Sequence, residues 1–97
     1  MIPSRQEAMS IVAIEAGICG TPVLITDQCG FDEVLEIDRR WVVPATVQGL
    51  AKGLCAMLQD TDGLILTSKP WKRLVMRRYT WENIISKYVI LYNKLLA

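Results

Sequence analysis

The sequence predicts an α/β domain, a parallel sheet with flanking helices, and three observations predict it. Residues 21–26 and 40–43 are short runs rich in β-branched and apolar side chains, the length and composition of buried strands. Longer stretches carry apolar residues at three- and four-residue spacing, the period of amphipathic helices. The order helix, strand, helix, strand, helix is that of a Rossmann-like fold.

The elements follow in order. Residues 1–3 read as the tail of a strand. Ser4 then opens a helix, because Ser4 and Glu7 have capping-box spacing, the serine accepting an amide hydrogen bond and the glutamate reaching back. Met9, Val12, Ala13 and Ala16 recur as its apolar positions, and Gly17 and Gly20 close it. Residues 27–30 form a turn and 31–37 one or two helical turns. Arg40, Trp41, Val42 and Val43 make a second short strand, stopped by Pro44. Thr46 caps a second helix with Val47, Leu50, Ala51, Leu54 and Leu58 on one face. Residues 61–69 read as a loop, and Pro70 as the first residue of a helix running to Arg78. Thr80 caps a last helix whose apolar positions are Trp81, Ile84, Ile85, Tyr88, Leu91, Tyr92 and Leu95. Two or three strands are too few for a complete Rossmann-like sheet. Residues 1–97 are therefore expected to form a single partial Rossmann-like domain with its first half missing. The unpaired strand edge this leaves invites pairing with another chain, hence a dimer or an aggregation-prone monomer.

Composition narrows the function classes. At 97 residues and 52% hydrophobic, the chain has the material for one small core. No apolar run reaches the roughly 18 residues of a membrane span, and the N-terminus lacks the pattern of a signal peptide. The net charge of +1 gives no whole-chain case for nucleic acid. Lys69, Lys72, Arg73, Arg77 and Arg78 nevertheless cluster in one segment, and Asp27, Asp32, Glu33, Glu36 and Asp38 in another. Cys19, Cys29 and Cys55 are odd in number and irregularly spaced, and read as reduced thiols, small buried apolar residues of a cytoplasmic protein. The absence of histidine removes His-based triads and most zinc sites. Asp60-Thr61-Asp62 precedes a glycine and reads as a solvated turn, so no metal ligand is assigned. Gly17-Ile18-Cys19-Gly20 ends a helix instead of joining a strand to one, and is no dinucleotide fingerprint.

Glu7 and Glu15, with seven residues between them, are the most informative pair. On one helix they would stand about 12 Å apart along the axis and about 80° apart around it. Glycoside hydrolysis needs carboxyl groups about 5–10 Å apart, so the pair better fits two contacts at opposite ends of one ligand. The amides of the first helical turn would lie between them, and such amides bind phosphate.

The glutamate pair, Glu15-Ala16, Cys19-Gly20-Thr21-Pro22-Val23, Gly30, Glu33-Val34, Val43-Pro44, Tyr79-Thr80-Trp81-Glu82 and Leu91-Tyr92 occur in order. This ordered set resembles the C-terminal domain of GT-B glycosyltransferases, the retaining family 4 (glycosyl transferases group 1). The resemblance covers nearly the whole chain. It implies the C-terminal portion of a nucleotide-sugar-binding domain, in an enzyme moving a sugar from a nucleotide-diphosphate donor to an acceptor hydroxyl with retention. Glu7 would contact donor-sugar hydroxyls and is the one candidate catalytic residue. Backbone amides at Ser10, Ile11 and Val12 would hold the diphosphate, and Glu15 the ribose hydroxyls. No cofactor is implied.

Where the family has Gly-Phe-Gly after the first glutamate, this chain has Ala8-Met9-Ser10, which restricts how closely backbone approaches a ligand. The family's basic pair and acceptor-binding domain lie outside the residues that match. The chain alone is therefore expected to hold part of a donor site and to be inactive. The implied partners are a nucleotide-diphosphate sugar and, through the missing domain, a sugar or lipid-linked acceptor. Residues 69–78 are a candidate contact to anionic lipid at the inner membrane face, against the plainer reading of a solvated helix face. Trp81, Tyr88 and Tyr92 are a candidate homodimer stripe. Two alternatives stand beside the transferase: a non-catalytic nucleotide-binding or self-associating module from a truncated gene, and a fragment of a GT-B nucleotide-sugar epimerase.

Overall fold

A computed structural model describes residues 1–97. Its elements are α1 (Ile11–Ile18), β1 (Ile25–Thr26), 3-10 turns at Asp32–Glu36 and Arg39–Trp41, β2 (Val42–Val43), α2 (Val47–Gln59), α3 (Thr61–Arg78) and α4 (Trp81–Leu96). The sheet is parallel. Ile25 registers with Val42 and Thr26 with Val43, while Ile2 forms a parallel bridge to Ile25 on the other side. β1 is therefore central, and Val23 through Thr26 are buried without interruption, but the strand expected over residues 21–26 is confined to Ile25–Thr26, and Thr21 is exposed. The second strand is shorter than expected, because Arg40 and Trp41 belong to a 3-10 turn that Asp38 caps through the Arg40 amide at 2.9 Å.

Glycines at 17 and 20 do different work. Gly20, at φ +72°, is the left-handed residue after the helix. Its amide bonds the Gly17 carbonyl at 2.9 Å and the Thr21 amide bonds that of Ala16 at 2.8 Å, the two bonds of a Schellman cap. Gly17 lies inside α1 and is buried, where a Cβ would run into Val75 Cγ2 and come within 3.0 Å of the Trp71 ring. It is a contact glycine, and the expectation that it closes the helix is corrected.

α3 carries the other half of the core. It begins at Thr61, with Asp60 accepting the Gly63 amide at 3.1 Å, and passes through Pro70, so residues 61–69 are helical and Pro70 is interior. Gly63, Thr67 and Ser68 are weak helix formers, which is why the segment reads as a loop. Tertiary bonds overrule them: Ser68 Oγ donates to the Gly20 carbonyl at 2.5 Å and the Trp71 indole N–H donates to Thr21 O at 3.0 Å. Both fasten α3 to the turn between α1 and β1. Trp71 then meets Phe31 and Trp41 edge-on at 5.8 and 5.9 Å, and Phe31 meets Tyr79 at 5.5 Å.

α2 starts where expected, Thr46 accepting the Gly49 amide at 2.9 Å, but its inner face is turned. Gly53 and Met57 are buried, while Val47 is 81% exposed and Leu58 64%. Gly53 sits where a Cβ would come within 2.7 Å of Val43 and 2.9 Å of Leu24, so the helix approaches the sheet through its smallest residue. Thr80 caps α4 through the Asn83 amide at 3.3 Å. No residue of α4 is buried, and the molecule measures 53 × 28 × 17 Å. Cys29 is buried, but Cys19 and Cys55 are exposed, so only one of the three thiols is the core residue expected of all. Asp60 is a helix cap and an ion-pair partner of Arg40 at 2.8 Å, and no group of three His, Cys, Asp or Glu is gathered anywhere in the chain. No helix is long and apolar enough to cross a membrane.

Candidate functional site

In an open parallel sheet, ligands bind beyond the carboxyl ends of the strands, because helix N-termini and loops converge there. Here that end is formed by residues 3–10, which lead from the Ile2 bridge into α1, and by residues 27–30, which leave β1.

The two glutamates do not share a helix. α1 begins at Ile11, and Ser10, fully buried, caps it by accepting the Ala13 amide at 3.3 Å. Glu7 lies in the preceding loop, half-buried, and Glu15 is exposed in the second turn of α1. The capping box expected at Ser4 does not form. Ser4 Oγ donates to Glu7 Oε2 at 3.0 Å instead of accepting an amide, and the Ser4 carbonyl is taken by the Thr26 hydroxyl at 2.5 Å. With both groups engaged sideways, the chain cannot turn helical until Ser10 supplies the next cap.

This late start decides what the helix presents. Ser10 satisfies the Ala13 amide, while the amides of Ile11 and Val12, in the first turn, have no intrahelical acceptor. Ile11 and Val12 are themselves exposed. Glu15 follows Ile11 by four residues, hence on the same face and about 6 Å further along the axis. The structure thus brings Glu7, Ser10, Ile11 and Val12 into one continuous stretch of loop and helix start, with Glu15 one turn beyond. The positive end of the helix dipole and free amides suit an anion, and the two carboxylates suit hydroxyl donors.

Three residues at and after the end of β1 join this region, and of these the ordered motif singles out only Gly30. Thr26 holds Ser4, and Cys29 Sγ, 3.6 Å from the Ile2 carbonyl, holds the strand before it. Gly30, at φ +63°, passes so close to the Glu7 loop that a Cβ would overlap the Ala8 carbonyl and come within 2.8 Å of that of Glu7. Gly30 alone carried a signal of this in the sequence, as a turn glycine and as a member of the ordered motif.

The site is an open edge. None of the chain's cavities is lined by Glu7, Ser10, Ile11, Val12 or Glu15. An apolar cavity of about 390 Å³ lies among Met1, Pro22, Leu24, Met57 and Leu64, at the amino end of β1, and offers no titratable group.

Comparison with known proteins agrees in one direction. Residues 1–60 match the family described as glycosyl transferases group 1. An uncharacterized glycosyltransferase of Methanocaldococcus jannaschii is 33% identical over 94 residues, which are 95% of this chain and 24% of that protein. The MMP alpha-(1->4)-mannosyltransferase of Mycolicibacterium hassiacum is 29% identical over 99% of this chain and 24% of its own length. The chain thus spans about a quarter of the length of these relatives. No solved structure matches it.

Proposed function

Because this chain belongs to the glycosyl transferases group 1, we propose that it forms part of the donor-binding domain of a GT-B glycosyltransferase acting with retention. The donor is a nucleotide-diphosphate sugar and the acceptor a hydroxyl group bound elsewhere in the enzyme. Residues 1–97 act in it as one partial Rossmann-like domain. Glu7 accepts hydrogen bonds from hydroxyls of the transferred sugar. The amides of the exposed Ile11 and Val12 bind the diphosphate, with Ser10, buried beneath them, acting as the cap that sets the helix start, and Glu15 accepts from the two vicinal hydroxyls of the ribose.

The observation that carries this reading is the position of the α1 start. It lies at the carboxyl edge of the parallel sheet, with free amides at Ile11 and Val12, Glu7 immediately before it and Glu15 one turn after. In such an arrangement the protein's contribution is electrostatic. Negative charge grows on the diphosphate as the bond to the sugar breaks, and amides already aimed at it stabilise that charge without reorganising. Glu7 fixes the sugar so that its anomeric carbon faces the acceptor. A mannosyl donor is one candidate, on the name of the Mycolicibacterium hassiacum relative.

An amide-resolved NMR titration with UDP, GDP and ADP tests the assignment. Shifts concentrated at Ser10 through Glu15, and weakened by Glu15→Ala, are the expected outcome. The nucleotide giving the largest shifts identifies the base. A well-dispersed spectrum that ignores all three, or that responds only away from α1, would remove the donor site from this chain.

A further inference from the structure

We infer that Thr26 is a positioning residue for the sugar-contacting carboxylate of Glu7, acting through Ser4; the inference rests on the donor-site reading above. Thr26 ends β1 with its side chain 1% exposed, at the carboxyl edge of the sheet. Its hydroxyl has one proton, and that proton is donated to the Ser4 carbonyl at 2.5 Å. Ser4 in turn donates its own hydroxyl to Glu7 Oε2 at 3.0 Å. A two-bond relay therefore runs from the rigid centre of the sheet to one oxygen of the carboxylate. Oε1, the other oxygen, receives no hydrogen bond from the chain and is free to accept from a ligand.

Two further contacts hold the same loop from the same turn. Cys29 Sγ donates to the Ile2 carbonyl at 3.6 Å, and Gly30 lies against the Glu7 and Ala8 carbonyls, where any side chain would collide. The loop is thus gripped before, at and after Ser4, but only the Thr26 contact leads on to the carboxylate. Valine has nearly the shape of threonine and the same preference for strands, so neither packing nor propensity requires a hydroxyl here. The hydroxyl oxygen also accepts the Gln28 amide at 3.4 Å and lies 3.5 Å from Cys29 Sγ, both within the β1 turn, and what its proton adds is the fixed direction of Ser4. A carboxylate on a loop is otherwise free to rotate, and a ligand hydroxyl would have to order it on binding.

The nucleotide part of the donor meets different elements, the α1 amides and Glu15. Loss of the relay should consequently separate the two ends of the ligand. The test measures affinity by calorimetry for the nucleotide diphosphates UDP, GDP and ADP and for UDP-glucose, GDP-mannose and ADP-glucose. The wild-type chain is expected to prefer one sugar nucleotide over its bare diphosphate. Thr26→Val should reduce that preference roughly 3- to 10-fold, the size of one hydrogen bond, and leave the bare diphosphate within about twofold. Thr26→Ser, which keeps the proton, should restore it. Ser4→Ala cuts the same relay at a half-buried position and should reproduce the loss if the valine variant does not fold. Unchanged sugar preference in Thr26→Val or Ser4→Ala overturns the inference. So does an equal loss for both ligands, which would make Thr26 only a structural bond. A wild-type chain that binds both alike removes the sugar contact of Glu7 and the relay with it, while one that binds neither ligand overturns the donor-site reading itself.

Discussion

Helices α3 and α4 are built from similar material and end in opposite circumstances. Each is capped by a side-chain oxygen, Asp60 for α3 and Thr80 for α4, and they are similar in length, 18 and 16 residues. α3 buries Trp71, Leu74 and Val75 between α1 and the aromatic cluster, while α4 buries nothing and carries Trp81 at 78% exposure. α3 even has the poorer local sequence, with Gly63 in its first turn and Pro70 inside. The difference teaches that in this fold tertiary fastening, not helix propensity, sets where stability resides.

Trp71→Ala breaks the fastened side and carries the largest expected effect. Trp71 is fully buried, contacts two aromatic rings and donates to Thr21 O at 3.0 Å. Its truncation should cost about 3–5 kcal/mol in urea unfolding, a large share of the roughly 5–15 kcal/mol of an ordinary domain. A loss under about 1 kcal/mol would mean that α3 is not docked as described.

Gly17→Ala is smaller and is decided by its sign. In an exposed helix the change gains up to about 1 kcal/mol of propensity. Here the added methyl meets Val75 and the Trp71 ring, and overpacking of that kind costs about 1–3 kcal/mol. The variant should therefore be less stable than the parent, with α1 loosened against α3. A more stable variant would show that the two helices do not touch at Gly17.

The legible and illegible parts of the sequence divide along the same line. Caps whose reach is local were readable: Thr46, Thr80 and the left-handed Gly20 all act within four residues of themselves. Features settled by distant partners were not. Ser4 and Glu7 have the spacing of a capping box, but Thr26, 22 residues away, draws the Ser4 carbonyl aside and moves the helix start to Ser10. Residues 61–69 look like a loop until Gly20 and Thr21 supply acceptors for Ser68 and Trp71. On α2, the expected apolar face is exposed except at Leu50, because the close approach is made by Gly53, which no hydrophobicity pattern marks. For the candidate site, the sequence offers Glu7, Ser10, Ile11, Val12 and Glu15 as candidates, but their division between a loop and a helix is visible only in the structure.

Acid sharpens the comparison at the body's rim. The hydrogen bond from Arg40 holds the Asp38 carboxyl below its ordinary value of 3.8. Because the folded pKa is the lower one, this contribution to stability is complete above the ordinary value and is lost as pH falls through it toward the folded pKa. Urea midpoints measured from about pH 5 down to about pH 2 should therefore fall, and Arg40→Ala should flatten that slope. An unchanged slope would place the acid sensitivity elsewhere. The effect is modest because Arg40 is half exposed and solvent screens the pair.

The smallest effects are expected on α4, and their smallness is the informative part. Trp81 is 78% exposed, and Tyr88, 55% exposed, stacks only on Tyr92 of the same helix, at 6.2 Å. Neither ring has a core to leave. Trp81→Ala and Tyr88→Ala should each stay within about 0.5 kcal/mol of the parent, the range of surface substitutions, at the cost of one local pair in the second case. At 16 residues α4 is also near the length at which isolated helices become marginal, so its amides should exchange well before those of α3. Both measurements belong at low protein concentration, where nothing else can cover the helix. A core-sized loss of about 3 kcal/mol at either position would show that the apolar face is buried in solution. Dependence of that loss on concentration would then distinguish a second copy from a fold in which α4 lies back on its own chain.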